Sequence, residues 1–135
     1  VEKIKTIGDA YMAAAGIPEP VDNHTERVAR MALDMLAYMD TLRRQTGLDI
    51  SIRIGIASGP VMAGVIGTQK FSYDVWGDTV NLASRLESRS EPGRILICPG
   101  CRDRLAHAFT FENRGKIEIK GVGLQETFFV VGVKP

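Results

Sequence analysis

Ile50, Ile52, Ile54 and Ile56 alternate with Ser51, Arg53 and Gly55, directly after a long stripe of helical spacing. Alternation is the period of a strand with one apolar face, so Asp49 to Ser58 is expected to be a strand. The stripe before it is Val28, Met31, Ala32, Met35, Leu36, Met39 and Leu42, which share one helix face. Asn23, with Glu26 three residues later, reads as a capping box at the start of that helix, and Gly47 as its stop. A one-sided helix beside a one-sided strand buries its stripe against a sheet, and the methionines are read as part of that core.

The rest of the chain adds strands and two shorter helices. Val1 to Gly16 reads as two strands joined at Gly8-Asp9, and Ile17-Pro18-Glu19-Pro20 ends them because proline cannot donate to a ladder. Val61 to Ile66 is a short strand after Gly59-Pro60, and Phe71 to Val75 is another. Gly77 breaks the run, and Asp78 is expected to cap a helix from Thr79 to about Glu87. Arg94 to Cys98 reads as a strand, and Pro99 to about His107 as a short helix. Phe109 to Arg114 and Lys116 to Lys120 read as two strands across Gly115, and Glu126 to Val133 as a last strand after the Gly121-Val122-Gly123 turn. This succession predicts one α+β domain over residues 1–135. Its core is a ferredoxin-like βαββαβ unit, a mostly antiparallel sheet with helices packed on one face, extended by extra C-terminal strands.

Composition narrows the function classes. Lys and Arg number 17 against 16 Asp and Glu, a net charge of +1, and aromatics are 7%. That balance argues against a nucleic-acid surface or a membrane contact. No apolar run is long enough to span a bilayer. The chain opens at Val1 without an initiator Met, inside a strand-like pattern, and is expected to be part of a longer protein.

Chemistry concentrates in Phe71-Ser72-Tyr73-Asp74-Val75-Trp76-Gly77-Asp78-Thr79-Val80-Asn81-Leu82-Ala83-Ser84-Arg85. Asn81 and Arg85 lie four apart, hence on one helix face, beside a strand that carries Asp74. Taken singly, Asp78 and Asn81 are capping residues and Arg85 a solvated arginine. Taken together, a carboxylate, an amide and a guanidinium converge on a strand–helix corner suited to a base and a phosphate. The stretch closely resembles the signature of class III nucleotidyl cyclases, and Lys3-Ile4-Lys5-Thr6-Ile7-Gly8-Asp9-Ala10-Tyr11-Met12 is a second match.

That resemblance implies conversion of ATP to 3′,5′-cyclic AMP and pyrophosphate, an adenylate cyclase activity. It assigns Lys5 and Asp74 to reading the purine. A Lys donor suits adenine N1 and an Asp acceptor suits its amino group, whereas guanine presents a carbonyl and an N–H there. It implies that Asn81 orients the ribose, that Arg85 stabilises charge on the α-phosphate, and that Lys120 holds the terminal phosphates. Asp9 matches one of two metal-binding aspartates that hold two Mg²⁺ or Mn²⁺ ions. The other belongs to a Phe-x-Asp-Ile-x-Gly-Phe-like motif that this sequence lacks, so the domain is expected to be truncated at its N-terminus and the fragment alone inactive. The resemblance further implies a cytoplasmic domain and a head-to-tail homodimer with shared sites. The alternatives are a non-catalytic nucleotide-binding or dimerisation module and a guanylate cyclase. The first is favoured by the missing motif and the second disfavoured by Lys5 and Asp74.

Cys98-Pro99-Gly100-Cys101 is a C-x-x-C at a strand–helix junction. The spacing suits a redox pair or half a zinc site. With no second C-x-x-C and only His24 and His107 as histidines, the two are read as ordinary thiols at a turn.

Overall fold

Helix α1 begins after Asn23 and ends before Gly47, where its sequence signals placed it. In the computed structural model, which describes residues 1–67 and 72–135, α1 spans His24–Thr46. Gly47 closes it in the left-handed conformation (φ 73°), its N–H donating to the Arg43 carbonyl. The capping box does not form. Asn23 occupies the cap position without a side-chain cap bond; its Oδ1 accepts from Arg27 Nε at 2.8 Å, and Glu26 pairs with Arg30 at 3.0 Å. Arginines one turn downstream outcompete the backbone for both side chains.

Before α1 come strands β1 (Glu2–Ile7) and β2 (Ala10–Ala14), an antiparallel hairpin turning at Gly8-Asp9. After it come β3 (Ile54–Ile56), β4 (Met62–Ile66), β5 (Ser72–Trp76), α2 (Asp78–Arg89), β6 (Ile95–Ile97), α3 (Pro99–Leu105), β7 (Phe109–Ile119) and β8 (Gly123–Val133). Phe71, expected to open β5, lies outside the described residues. The α+β class with mostly antiparallel pairing holds, and β2-α1-β3-β4-β5-α2-β6 follows the expected βαββαβ succession with one strand more between the helices. Its strands fall into three sheets: the hairpins β1-β2 and β4-β5, and a four-stranded sheet ordered β3-β6-β8-β7, in which only β3 and β6 run parallel.

Two strands depart from their expected lengths for visible reasons. β3 covers only Ile54–Ile56, because the Ile50 carbonyl accepts from Arg43 Nη1 at 2.7 Å and the Ile52 carbonyl from the Gly93 N–H at 2.7 Å. The two strands expected across Gly115 are one, β7, with a bulge between Asn113 and Gly115. Asn113 Oδ1 accepts the Gly115 N–H at 2.6 Å, so the chain crosses the glycine without leaving the sheet.

The helices occupy both faces of the four-stranded sheet rather than one. Ile52 lines a groove with Met31, Met35 and Met39 of α1, while Gly55, on the opposite face of β3, lies under α2. A Cβ on Gly55 would stand 2.2 Å from the Glu87 N and 2.5 Å from the Ala83 carbonyl oxygen. The α2 backbone therefore rests directly on the β3 backbone, and only glycine allows it. Arg53, on the same face, pairs with Glu87 at 3.2 Å. Between the layers Leu86, Ile95, Leu96, Ile97, Leu105 and Phe109 are fully buried, each contributing about 1.5–3 kcal/mol of transfer free energy. The methionine stripe is not core as expected. Ala29 and Ala32 are buried, while Met31, Met35 and Met39 stay half-buried in the open groove. Among the described residues no helix is long and apolar enough to cross a membrane.

Gly55→Ala is expected to cost about 3 kcal/mol or more, since the clash is with backbone and not with a movable side-chain tip. Gly100→Ala, with open space around its Cβ position inside α3, should be neutral or stabilising by up to about 1 kcal/mol. Denaturant midpoints of the two variants measure both, and equal midpoints would contradict the backbone contact.

Candidate active site

β5 feeds α2 through Gly77, and this corner carries most of the candidate residues. Val75 is 2% exposed and anchors β5, which turns Asp74 to the opposite face. Across the ladder from Asp74 stands Gly64, so β4 offers no side chain to compete for its carboxylate. Lys5 of β1 fills that space. Its Nζ lies 3.0 Å from both Asp74 oxygens, and Oδ1 also accepts the Val75 N–H at 2.8 Å. Two residues 69 positions apart, from separate hairpins, thus form one polar pair. It is partly open: the Lys5 side chain is 39% exposed and that of Asp74 20%.

The Lys5 ammonium holds the Asp74 carboxyl below its ordinary value of 3.8, with the Val75 N–H adding to the effect. Because the folded carboxyl is the stronger acid, the pair's contribution to stability is complete above the ordinary pKa. It is lost as the pH falls through the lowered folded value.

Helix α2 begins at Asp78, with Gly77 and not Asp78 as its cap residue and no side-chain cap bond. Asp78 instead sits in the first turn, where a carboxylate favours the positive helix end. Thr79 ties this end down, its hydroxyl donating to the Pro60 carbonyl at 2.7 Å. Sequence reasoning gave Thr79 and Pro60 no role; a hydroxyl inside the corner was the only hint. One turn on, Asn81 is exposed, and a further turn on, Arg85 is half-buried. The Arg85 guanidinium reaches the turn after β7: Nη1 lies 3.6 Å from where a Cβ on Gly121 would stand. That turn, closed by the Val122 N–H on the Ile119 carbonyl, carries the exposed Lys120. Neither Arg85 nor Lys120 has an ion-pair partner among the described residues. Two cations at one turn have the charge that suits a polyanion.

Asp9 stands apart, exposed at the tip of the β1-β2 hairpin. Among the described residues no group of three or more His, Cys, Asp or Glu side chains could hold a metal ion. A lone exposed carboxylate does not make a centre for two divalent ions. The structure thus joins Lys5 to Asp74, sets Asn81 and Arg85 on one helix, and brings Arg85 to the Lys120 turn.

The sequence pattern of the adenylate and guanylate cyclase catalytic domain matches residues 1–132. An adenylate cyclase of Mycobacterium tuberculosis is 43% identical over 134 residues, covering 99% of this chain and 30% of that protein. The guanylate cyclase soluble subunit beta-2 of Rattus norvegicus is 44% identical over 133 residues, 97% of this chain and 20% of that protein. The crystal structure of the guanylate cyclase domain of RhGC from Catenaria anguillulae, in complex with GTP, superposes with a TM-score of 0.93. It is 41% identical and covers 99% of this chain and 74% of that one. The chain therefore spans less than a third of these two curated relatives.

Replacing Lys5 with Met is expected to raise the Asp74 titration midpoint toward 3.8. Carboxyl carbon NMR of the two proteins measures it, and an unmoved midpoint would show that Lys5 does not hold the carboxylate in solution.

Proposed function

We propose that this chain, which belongs to the adenylate and guanylate cyclase catalytic domain family, takes ATP as its substrate and forms 3′,5′-cyclic AMP. The observation that carries the reading is the Lys5–Asp74 pair. The ammonium donates to adenine N1 and the carboxylate accepts from the exocyclic amino group. Guanine would set its N–H against the ammonium and its carbonyl against the carboxylate, leaving polar groups unpaired. Relatives of both specificities exist, so base choice rests on this pair and not on descent.

In this reading Asn81 orients the ribose. The 3′-oxygen attacks the α-phosphorus, the new oxygen–phosphorus bond closes the ring, and the bond to the β-phosphate bridging oxygen breaks, releasing pyrophosphate. Negative charge accumulates around the α-phosphate, and Arg85, free of competing carboxylates, is the group placed to stabilise it. Lys120, on the turn that Arg85 overlies, holds the departing phosphates. Family members use divalent ions, and Asp9 would be a ligand. Among the described residues no further donors join it into a metal-holding group. A head-to-tail homodimer fits the exposure of Asp9 at a hairpin tip. It also fits the exposed Met62, Ile66 and Trp76 on one face of the β4-β5 hairpin, an apolar surface of the kind that pairs with another copy.

Cyclic AMP and cyclic GMP formed from equal ATP and GTP with Mn²⁺, by this chain extended upstream to include the second aspartate motif, test the proposal. ATP is expected to be favoured by about tenfold or more, the worth of one charged hydrogen bond. Lys5→Glu with Asp74→Cys should turn the preference toward GTP, and Arg85→Ala should lower kcat by about 10²–10³. Equal products from the unaltered protein would refute the base assignment. ATP binding without any product even in the extended protein would favour the non-catalytic module.

A further inference from the structure

Cys98 and Cys101 lie outside the nucleotide site, and the structure treats them differently from two thiols that merely share a turn. Cys98 ends the β6 segment in extended backbone, Cys101 sits in the first turn of α3, and their sulfurs are 3.7 Å apart. Cys98 is 5% exposed and Cys101 is not exposed at all, so an attacking reagent meets Cys98 first. Cys101 Sγ also lies 3.5 Å from the Ile56 carbonyl at the end of β3. Among the described residues no further donor joins them into a metal-holding group.

We propose that Cys98 and Cys101 are a reversible dithiol–disulfide pair that exchanges with low-molecular-weight disulfides. The charge state agrees with the order of attack. The Cys101 thiol, hydrogen-bonded to the Cys98 sulfur, brings Cys98 down to about 6, against the opposing effect of burial, and backbone N–H groups of Cys101 and Ser58 add to the lowering. Cys101 is pushed up, first by Cys98 beside it and then by burial. The lowering favours the thiolate at the outer sulfur and the raising favours the thiol at the inner one.

The exchange has two displacements. The Cys98 thiolate attacks one sulfur of the small disulfide, forming a mixed disulfide and expelling one small thiolate. Cys101 then gives its proton to that thiolate and attacks the Cys98 sulfur. The internal disulfide forms and the second small thiolate leaves. The protein loses two electrons and one proton, and the small disulfide is reduced to one thiol and one thiolate. Ring closure is short because the two sulfurs already face each other.

The test uses the folded protein with oxidised glutathione at neutral pH, read by intact mass and by thiol titration after denaturation. The expected product has lost both titratable thiols and the mass of two hydrogens, without glutathione attached, and dithiothreitol restores it. Cys101→Ser should stop at a stable glutathione adduct, and Cys98→Ser should take up none. In the reduced protein, alkylation of Cys98 should rise through about pH 6 and level off. A persistent adduct on the unaltered protein, a disulfide between two chains, or thiols that react only after unfolding would each overturn the proposal. No readout involves nucleotide, so the result stands apart from the substrate assignment.

Discussion

The contact on which the site depends is the one between the α2 backbone and Gly55. A helix normally stands off a sheet by the thickness of two side-chain layers. Here one layer is missing at a single point, and α2 sinks until its amides approach β3. Leu86 is then fully buried, Arg53 meets Glu87, and Thr79 comes within reach of the Pro60 carbonyl. These contacts fix the helix in height, rotation and end position. Rotation matters most, because it decides that Asn81 faces out and that Arg85 overlies the Gly121 turn. The polar residues do not assemble themselves; a glycine on the far side of the helix aims them.

Much of this was legible. The bounds of α1 follow from Asn23 and Gly47, and the strand–helix corner from alternation, a breaking glycine and a change of period. What failed shares one cause, competition from hydrogen-bond partners that the local pattern does not count, whether one helical turn away or about forty residues on. The capping box gave way to Arg27 and Arg30, and the first half of the isoleucine strand gave its carbonyls to Arg43 and Gly93. Gly55 was read as part of a polar face, although the missing side chain is what draws a second helix layer onto the sheet. Periodicity alone places no pair 69 residues apart. The pairing of Lys5 with Asp74 was anticipated only through the family resemblance that set both at base-reading positions.

The arrangement of charge is asymmetric. The cations Arg85 and Lys120 have no carboxylate beside them among the described residues, and Asp9 projects alone from another hairpin. A domain that kept these cations paired would have none left for the triphosphate of the proposed substrate. Two like charges at one turn repel, and under that proposal a polyanion relieves the repulsion on binding. The exposed apolar residues of the β4-β5 hairpin follow the same logic, since surface left unburied within one chain is available to another.

The Lys5–Asp74 pair has a different consequence. The two side chains already satisfy each other, so under the proposed base-reading role an arriving purine displaces a rival. Each hydrogen bond to the base is won by surrendering one that existed, and the net gain in affinity is small. The loss on meeting the wrong base is not reduced, because a mismatched purine parts the pair and returns nothing. A reader of this kind is weak as a handle and strong as a filter. Under that proposal tightness has to come from the triphosphate, while the base decides which nucleotide is accepted.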